Sequence, residues 1–396
     1  MRGTVWTVAN QLGVVAGTPA GLLSALLSGA PRTVRLAPAG QDPGEMAELV
    51  SLLRGFGHLR VVVEAPADEP EDHRPPDLAD PEAVCAADPA RVTSAYETAA
   101  DEHGGLRAAW LRAGQSLIRD QGPVRRALVL LAALPPDAEP RVRAALGRLS
   151  ERGPWALEWS RPCPVAALTV ASGALVVADP AGGVRTLDED VPQPSTAVRT
   201  RAVAAPDDDT RLLLDERGRL HRHGGTETPL TKAVAATLES HPGTALAAAA
   251  DTVLVGDRMG SVHAFGFDGL HQAALHSGRV TALSAIAGAT ALTVHSGGGD
   301  GAVHRWSPGA AGHRPPVAER PYPVVALHTG PTPAGPALAV AWADGLVRLY
   351  LPGARRALPF RPGPAVRAVA VVPDGTLCVG TDDTLVALRP RQDRPR

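Results

Sequence analysis

The chain has 396 residues, 44% of them apolar and 20% charged, with a formal net charge of −2. That length and apolar share suit two domains with substantial cores and exclude a small disulfide-stapled scaffold. The near-neutral balance argues against general nucleic-acid or anionic-membrane binding, because polyanion binding needs a basic surface that releases counterions.

No run of the roughly 20 apolar residues needed to span a bilayer occurs. A signal peptide has room only between Leu12 and Ala30, where a single Arg2 precedes it, Asn10 and Gln11 polarise the approach and Pro19 interrupts it. Cys85, Cys163 and Cys378 are too widely spaced for a disulfide framework or a CxxC metal knuckle. Together these features predict a cytoplasmic protein.

The first third mixes helix and strand. Residues 33 to 37 form a short apolar strand, Asp42 caps a helix with Pro43 and Glu45 in its first turn, and Met46, Leu49, Val50 and Leu53 fall on one face of that helix. "LRVVVEA" then reads as a buried strand, so a parallel strand–helix–strand unit is expected. From Ala67 to Glu102 the chain turns Pro-rich and acidic, a solvated loop that gives way to helix near Pro81. Three helical segments follow, and in the first Leu106, Ala109, Trp110, Ala113 and Leu117 recur as one core stripe.

After residue 154 helical periodicity gives way to short β-type runs. "GALVVADPAGGVRTL", "TRLLLDERGRLHRH", "DTVLVGDRMGSVHAF", "TALTVHSGGGDGAVHRW", "PALAVAWADGLVRLY" and "GTLCVGTDDTLVALR" are six versions of one hairpin unit, with Phe265, Trp306 and Tyr350 ending the three best copies. Most are preceded by another apolar run. A period of about 40 residues is that of four-stranded propeller blades. The expected fold is therefore an α+β two-domain chain: an N-terminal α/β and helical domain (1–152), an all-β propeller of about six four-stranded blades, seven remaining open (153–391), and a polar tail (392–396). The blade around residues 230 to 277 has no clear first strand. The last unit offers only three strands, and "PWALEWS" (154–160) would complete it, which makes Trp155 and Trp159 closure residues.

The "DGxVxxW"-like turn and strand at this period resemble the WD40 repeat family over residues 155 to 390, although no unit ends in Trp-Asp and only "LHSGRVTAL" approaches the Gly-His opening. "GSVHAFGFDG" is similar to the repeat of quinoprotein-like propellers, whose Thr-Gly and closing Trp this chain lacks. "VCAADPARVTSAYE" and "GGLRAAWLRAGQSLIRDQGPVRRALVLLAAL" resemble the segment joining ATPase-like and WD40 modules in large actinobacterial ATP/GTP-binding proteins, and the Arg- and Ala-rich composition fits such a source. That resemblance implies a G-x-x-x-x-G-K-[ST] phosphate loop, which is missing. Lys232, the only lysine, lies far downstream in "PLTKAVAA". The N-terminal domain is thus expected to be a degenerate ATPase-like region.

Other chemistry is thin. Asp42 is better explained as a cap than as a metal-coordinating acid, and Glu64 is the second candidate. "GQSLI" approaches the hydrolase elbow but Ser116 lacks the second glycine. His221 and His223 share a strand face without a third zinc ligand in view, Asp207, Asp208 and Asp209 lack calcium-loop spacing, and Arg355, Arg356 and Arg361 read as solvated loop arginines. The glycines of "SGGGDGAVHRWSPG" (296–309) read as the longest of the blade turns, since an alternating strand follows instead of a helix and a lysine. No catalytic residue, cofactor or metal is expected. The leading function is a non-enzymatic protein-interaction scaffold or signalling adaptor, with protein partners on a propeller face, no nucleic acid and no membrane, and the oligomeric state left open. The alternative is a nucleotide- or small-ligand-sensing regulator in which Arg32 and Arg35 contact the ligand. An enzyme using the central channel would need acids, histidines or a metal converging there.

Overall fold

The computed structural model describes residues 2–26, 32–36, 43–63, 76–187, 198–249, 251–288, 291–310 and 315–391. The chain divides into two compact units, one of Met1–Leu157, Arg361–Ala365 and Arg391–Arg396, the other of Glu158–Phe360 and Val366–Pro390.

The first unit opens with α1 (Arg2–Leu12) and α2 (Pro19–Leu26), the second of which falls between Leu12 and Ala30. Strand β1 (Arg32–Leu36), helix α3 (Pro43–Arg54) and strand β2 (Leu59–Val63) follow, and β1 pairs with β2 in parallel, Val34 opposite Val61. Met46, Leu49, Val50 and Leu53 all face inward and share one core with Val5, Val8, Leu22, Val34 and Leu36. Asp42 and Glu64 lie outside the described residues.

Helices α4 (Pro81–Ala86), α5 (Pro89–Thr98), α6 (Leu106–Leu117), α7 (Pro123–Ala133) and α8 (Pro140–Ser150) complete this unit, with a 3-10 turn at His103–Gly105. Four of these five begin on proline, whose fixed φ suits the first helical turn and whose missing N–H costs nothing there. Asp80 and Asp88 cap α4 and α5 through the free N–H groups of those turns. The stripe Leu106, Ala109, Trp110, Ala113 and Leu117 is fully buried, and Trp110 Nε1 donates to Thr93 Oγ1 at 3.0 Å. Gly114 lets α1 approach α6, because a Cβ there would lie 2.1 Å from the Trp6 ring.

The second unit is a six-bladed propeller. Strand β3 (Trp155–Pro162) comes first in the chain, then blade 1 with β4 (Ala167–Ala171), β5 (Ala174–Ala178) and β6 (Val184–Thr186). Blade 2 has β7 (Thr200–Ala204), β8 (Arg211–Asp215) and β9 (Leu220–His223), followed by helix α9 (Pro229–Ser240). Blade 3 has β10 (Ala245–Ala249), β11 (Thr252–Gly256), β12 (Ser261–Gly266) and β13 (Gly269–Ala274). Blade 4 has β14 (Val280–Ala287), β15 (Leu292–Gly298), β16 (Ala302–Trp306) and β17 (Ala318–Glu319). Blade 5 has β18 (Val324–Gly330), β19 (Ala337–Trp342), β20 (Val347–Tyr350) and β21 (Leu358–Phe360). Blade 6 has β22 (Val366–Val371), β23 (Leu377–Thr381) and β24 (Thr384–Pro390), with β3 beside β24 as its fourth strand.

The first strands of the six blades neighbour one another in order, and β22 returns to β4, which closes the ring. All six hairpin units form the second and third strands of their blades. The missing first strand of blade 3 is β10, whose "ALAAA" carries no β-type signal of its own. Helix α9 packs Val234 and Leu238 onto Leu212 and Leu214 of blade 2 and onto Leu246, Val253 and Val255 of blade 3.

The glycine-rich stretch of blade 4 differs from its reading as a long turn. Gly297 and Gly298 belong to β15, and the turn closes with Gly301 N–H donating to Gly298 C=O at 3.1 Å, as Gly345 N–H does to Trp342 C=O in blade 5. A Cβ on Gly297 would lie 2.4 Å from Val324, the valine that opens the inner strand of the next blade. Gly256 faces Val280 and Gly380 faces Val165 in the same way, so these glycines seat adjacent blades.

Candidate functional site

Each of the first five blades places an aspartate in the turn between its second and third strands. In blades 1 to 3 the pattern is Asp-x-x-Gly, and Asp179, Asp215 and Asp257 each accept two N–H groups of their own turn at 2.8 to 2.9 Å. In blades 2 and 3 a histidine six residues on folds back onto that carboxylate: His221 Nε2 to Asp215 Oδ2 and His263 Nε2 to Asp257 Oδ2, both 2.9 Å. Burial opposes ionisation of Asp257, but His263 and the N–H groups of Ser261 and Met259 outweigh it and hold the carboxyl below its usual range. At Asp215 burial is likewise outweighed by the N–H of Arg219, by His221 and by the N–H of Arg217.

Blade 4 carries a third version with the ingredients of a nucleophilic triad. His276 Nδ1 lies 3.1 Å from Asp300 Oδ1, and His276 Nε2 lies 2.9 Å from Ser296 Oγ. The chemistry of a triad needs a serine that substrate can reach, and here the Ser296 residue and the His276 side chain both have 0% exposure. The set therefore works as a bracket. It ties the strand β15, the turn Asp300 and the connection entering blade 4 together, with the Ser277 N–H also donating to Asp300 at 3.0 Å. Blade 5 uses an ion pair instead: Arg320 grips Asp344 through Nη1 and Nη2 at 2.8 and 3.0 Å.

The channel along the ring axis opens into a bowl of about 950 Å³. The inner strands shift register at Arg201, Thr281, Val325 and Arg367, and these bulge residues all line the bowl. A bulge re-aims one side chain out of the ladder, so in these four blades the residue at this point helps set the chemistry of the mouth. Arg199 and Arg279 join them, with Glu216 and Asp382 the acids present. Asp382 is gripped by Arg367 at 2.6 and 3.2 Å. Below the bowl the channel narrows to about 70 Å³ between mainly Ala, Val and Leu side chains.

The outer edges of the blades differ in how they are guarded. Strand β17 is two residues long, β21 is three and contains Pro359, and β3 carries Glu158 and Arg161. Such shortness, proline and charge are the usual protections against unwanted strand pairing. Strand β13, "GLHQAA", is six residues long and has no lysine, arginine, acid or proline. Leu270 on it is 58% exposed, and Phe267 in its hairpin turn is 72% exposed.

The remaining sequence candidates have structural roles. Ser116 Oγ is buried and donates to the Arg361 carbonyl at 3.1 Å. His221 is held by Asp215 and does not begin a zinc site with His223; among the described residues no group of three metal-binding side chains assembles. Asp207 caps its own blade turn through the N–H groups of Asp209 and Thr210. Arg32 Nη1 donates to the Leu12 carbonyl, and the Arg35 N–H donates to Gln11. Arg355 and Arg356 are exposed in the loop before β21. The three cysteines are free and buried, and burial pushes the Cys378 thiol up to about 12, which removes its nucleophilic form at neutral pH. Trp155 is buried, and Trp159 packs on the core shared by blades 6 and 1 under the Arg161 guanidinium, 4.2 Å from the ring centre. No described helix is long and apolar enough to cross a membrane.

No protein-family model matches the sequence, and no curated protein matches it. Among solved structures the chain is similar to the computationally designed Ika8 protein, at 17% identity and a TM-score of 0.36, covering 57% of this chain and 71% of that one. It is similar to a chain of the Mitotic Checkpoint Complex at 13% identity and a TM-score of 0.38, covering 60% and 96%. The WD40 beta propeller domain of Doa1 is similar at 10% identity and a TM-score of 0.41, covering 61% and 99%. The assignment of a six-bladed propeller rests on the strand order and pairing described above.

Proposed function

We propose that this chain is a non-enzymatic interaction module of the cytoplasm, and that a protein partner docks by adding an extended segment to β13. The observation that supports this reading is the contrast among the described blade edges: one long strand without lysine, arginine, acid or proline stands among edges that are short, charged or proline-bearing. An open edge supplies affinity through main-chain hydrogen bonds, while Leu270 and Phe267 supply apolar contacts that select the incoming side chains. The histidine–carboxylate brackets serve this function by fixing the turns, so that the edge is offered by a rigid blade.

Affinity capture with the immobilised full chain from a lysate of the source organism tests the reading. Recovery of a protein that competes with an excess of free chain supports it; a chain that retains nothing above a denatured control overturns it.

A second reading is favoured by the parallel β1–α3–β2 unit, which is the kind of unit that holds nucleotides in α/β proteins. In that reading the N-terminal unit is a degenerate ATPase-like region that binds a nucleotide through backbone amides. Millimolar ATP or GTP with magnesium would then raise the melting temperature, and no shift rejects it.

A further inference from the structure

Among the described residues, the bowl at the channel mouth carries more arginines than acids. Arg201 and Arg279 come from blade 2 and from the entry to blade 4, and Arg199 precedes β7, so the ring brings together side chains that are 80 residues apart in sequence. Among the described residues none of the three guanidinium groups has a carboxylate partner. Arg367 is already paired with Asp382, and Glu216 is the one acid left in the bowl without an ion pair among the described residues. The local excess is positive in a chain whose overall charge is −2.

The hydroxyl groups around the bowl do not supply donors. Thr244 Oγ1 donates to the Val280 carbonyl at 2.6 Å, Thr281 Oγ1 to the Gly297 carbonyl at 3.0 Å and Thr200 Oγ1 to the Val198 carbonyl at 3.2 Å. They pin the strand starts, and recognition is left to the guanidinium forks. Partial burial holds Arg279 below its ordinary value, and the neighbouring Arg201 and Arg258 add to the effect. Concentrating like charges in this way destabilises the free protein, and a bound anion relieves it.

We propose that the bowl binds a small molecule carrying two or more linked phosphoryl groups. A volume of about 950 Å³ matches one small-molecule ligand, and the narrow apolar channel beneath closes the floor. Guanidinium forks donate paired N–H groups to phosphoryl oxygens, which fixes orientation as well as charge. Linked phosphoryl groups put several negative charges within a few ångströms, so one such ligand can meet more than one of the arginines lining the bowl. Carboxylates on an extended peptide recur on one side only every ~7 Å, twice the rise per residue. This inference goes beyond the docking reading and is independent of it, since the bowl lies on the ring axis and β13 on the outer rim.

Calorimetric titration and thermal shift of the full chain with tripolyphosphate, orthophosphate and a hexaglutamate peptide test it. Tripolyphosphate is expected to raise the melting temperature and to bind at least tenfold more tightly than orthophosphate or hexaglutamate. R201A/R279A, which changes only exposed side chains, is expected to weaken tripolyphosphate at least tenfold, and R355A/R356A in the loop before β21 to leave it unchanged. The proposal is overturned if millimolar tripolyphosphate does not bind, if both double variants lose equally, or if hexaglutamate binds as tightly, which would make the bowl an acidic-peptide site. None of these results bears on whether a protein docks at β13.

Discussion

Removing the Arg320 side chain should be among the most damaging single changes in the propeller. The Asp344 carboxylate sits in the β19–β20 turn with 0% side-chain exposure, and Arg320, 15% exposed, is its two-pronged partner. The guanidinium also lies 5.0 Å from the Tyr322 ring centre and 5.3 Å from that of Trp342, so it links the turn to the connection between blades 4 and 5. R320A removes this two-pronged partner, and the Leu346 N–H in the same turn lies 3.4 Å from Asp344 Oδ1, long for a hydrogen bond. Breaking one side of such a pair costs about 3 to 5 kcal/mol, because a buried charge is abandoned. Replacing both partners by apolar groups, as in R320M/D344A, should cost much less than R320A alone, since no charge is then stranded. R320K keeps the charge but loses the fork and should fall between them. Urea denaturation followed by tryptophan fluorescence measures the three, with Trp342 reporting on the site directly. An R320A cost below about 1 kcal/mol, the range of an exposed ion pair, or a double variant that costs as much as R320A or more, would refute the reasoning.

Three further outcomes follow from the same structure. Burial lowers the pKa of His295 and of His328 to about 4, with Arg305 adding to the effect at His295, and the Val371 N–H donates to His328 Nδ1, which requires that nitrogen unprotonated. Above pH 6.5 both are neutral folded or unfolded; below it the unfolded chain takes the proton first, so stability falls from pH 6.5 through 4 by up to about 3 kcal/mol per histidine. Melting temperatures across that range check this, and H295Q should flatten the profile. G297A brings a Cβ to 2.4 Å from Val324 and should cost about 1 to 3 kcal/mol by overpacking, whereas G278A, where nothing lies within 4 Å, should change urea midpoints little. H263Q removes the bracket on Asp257 and should lose about 1 kcal/mol at neutral pH, read as a lower melting temperature.

What the sequence shows depends on whether its signal is local. The six hairpins are legible because alternation and an Asp or Gly turn are written within fifteen residues, as in "DTVLVGDRMGSVHAF". Strand β10 is not, because "ALAAA" favours helix by propensity and becomes a strand only through pairing with β11 and burial against blade 2. Helix α9 did leave a signal, Thr228 before Pro229 with Thr231 completing a capping box, but it sits where a fourth strand is expected. The Asp215–His221 and Asp257–His263 brackets share a six-residue spacing, and they become distinguishable from a metal site only when the shared carboxylate is seen. The bowl could not be read at all, since Arg199, Arg201 and Arg279 converge only when the ring closes.

The docking claim is tested most directly by side-by-side affinity capture with the wild-type chain and F267K/L270K, which adds lysines to the open edge at two exposed positions. The account predicts unchanged melting temperatures and a partner retained by the wild type and lost by the variant. Equal recovery of the same partner by both chains would contradict docking at β13.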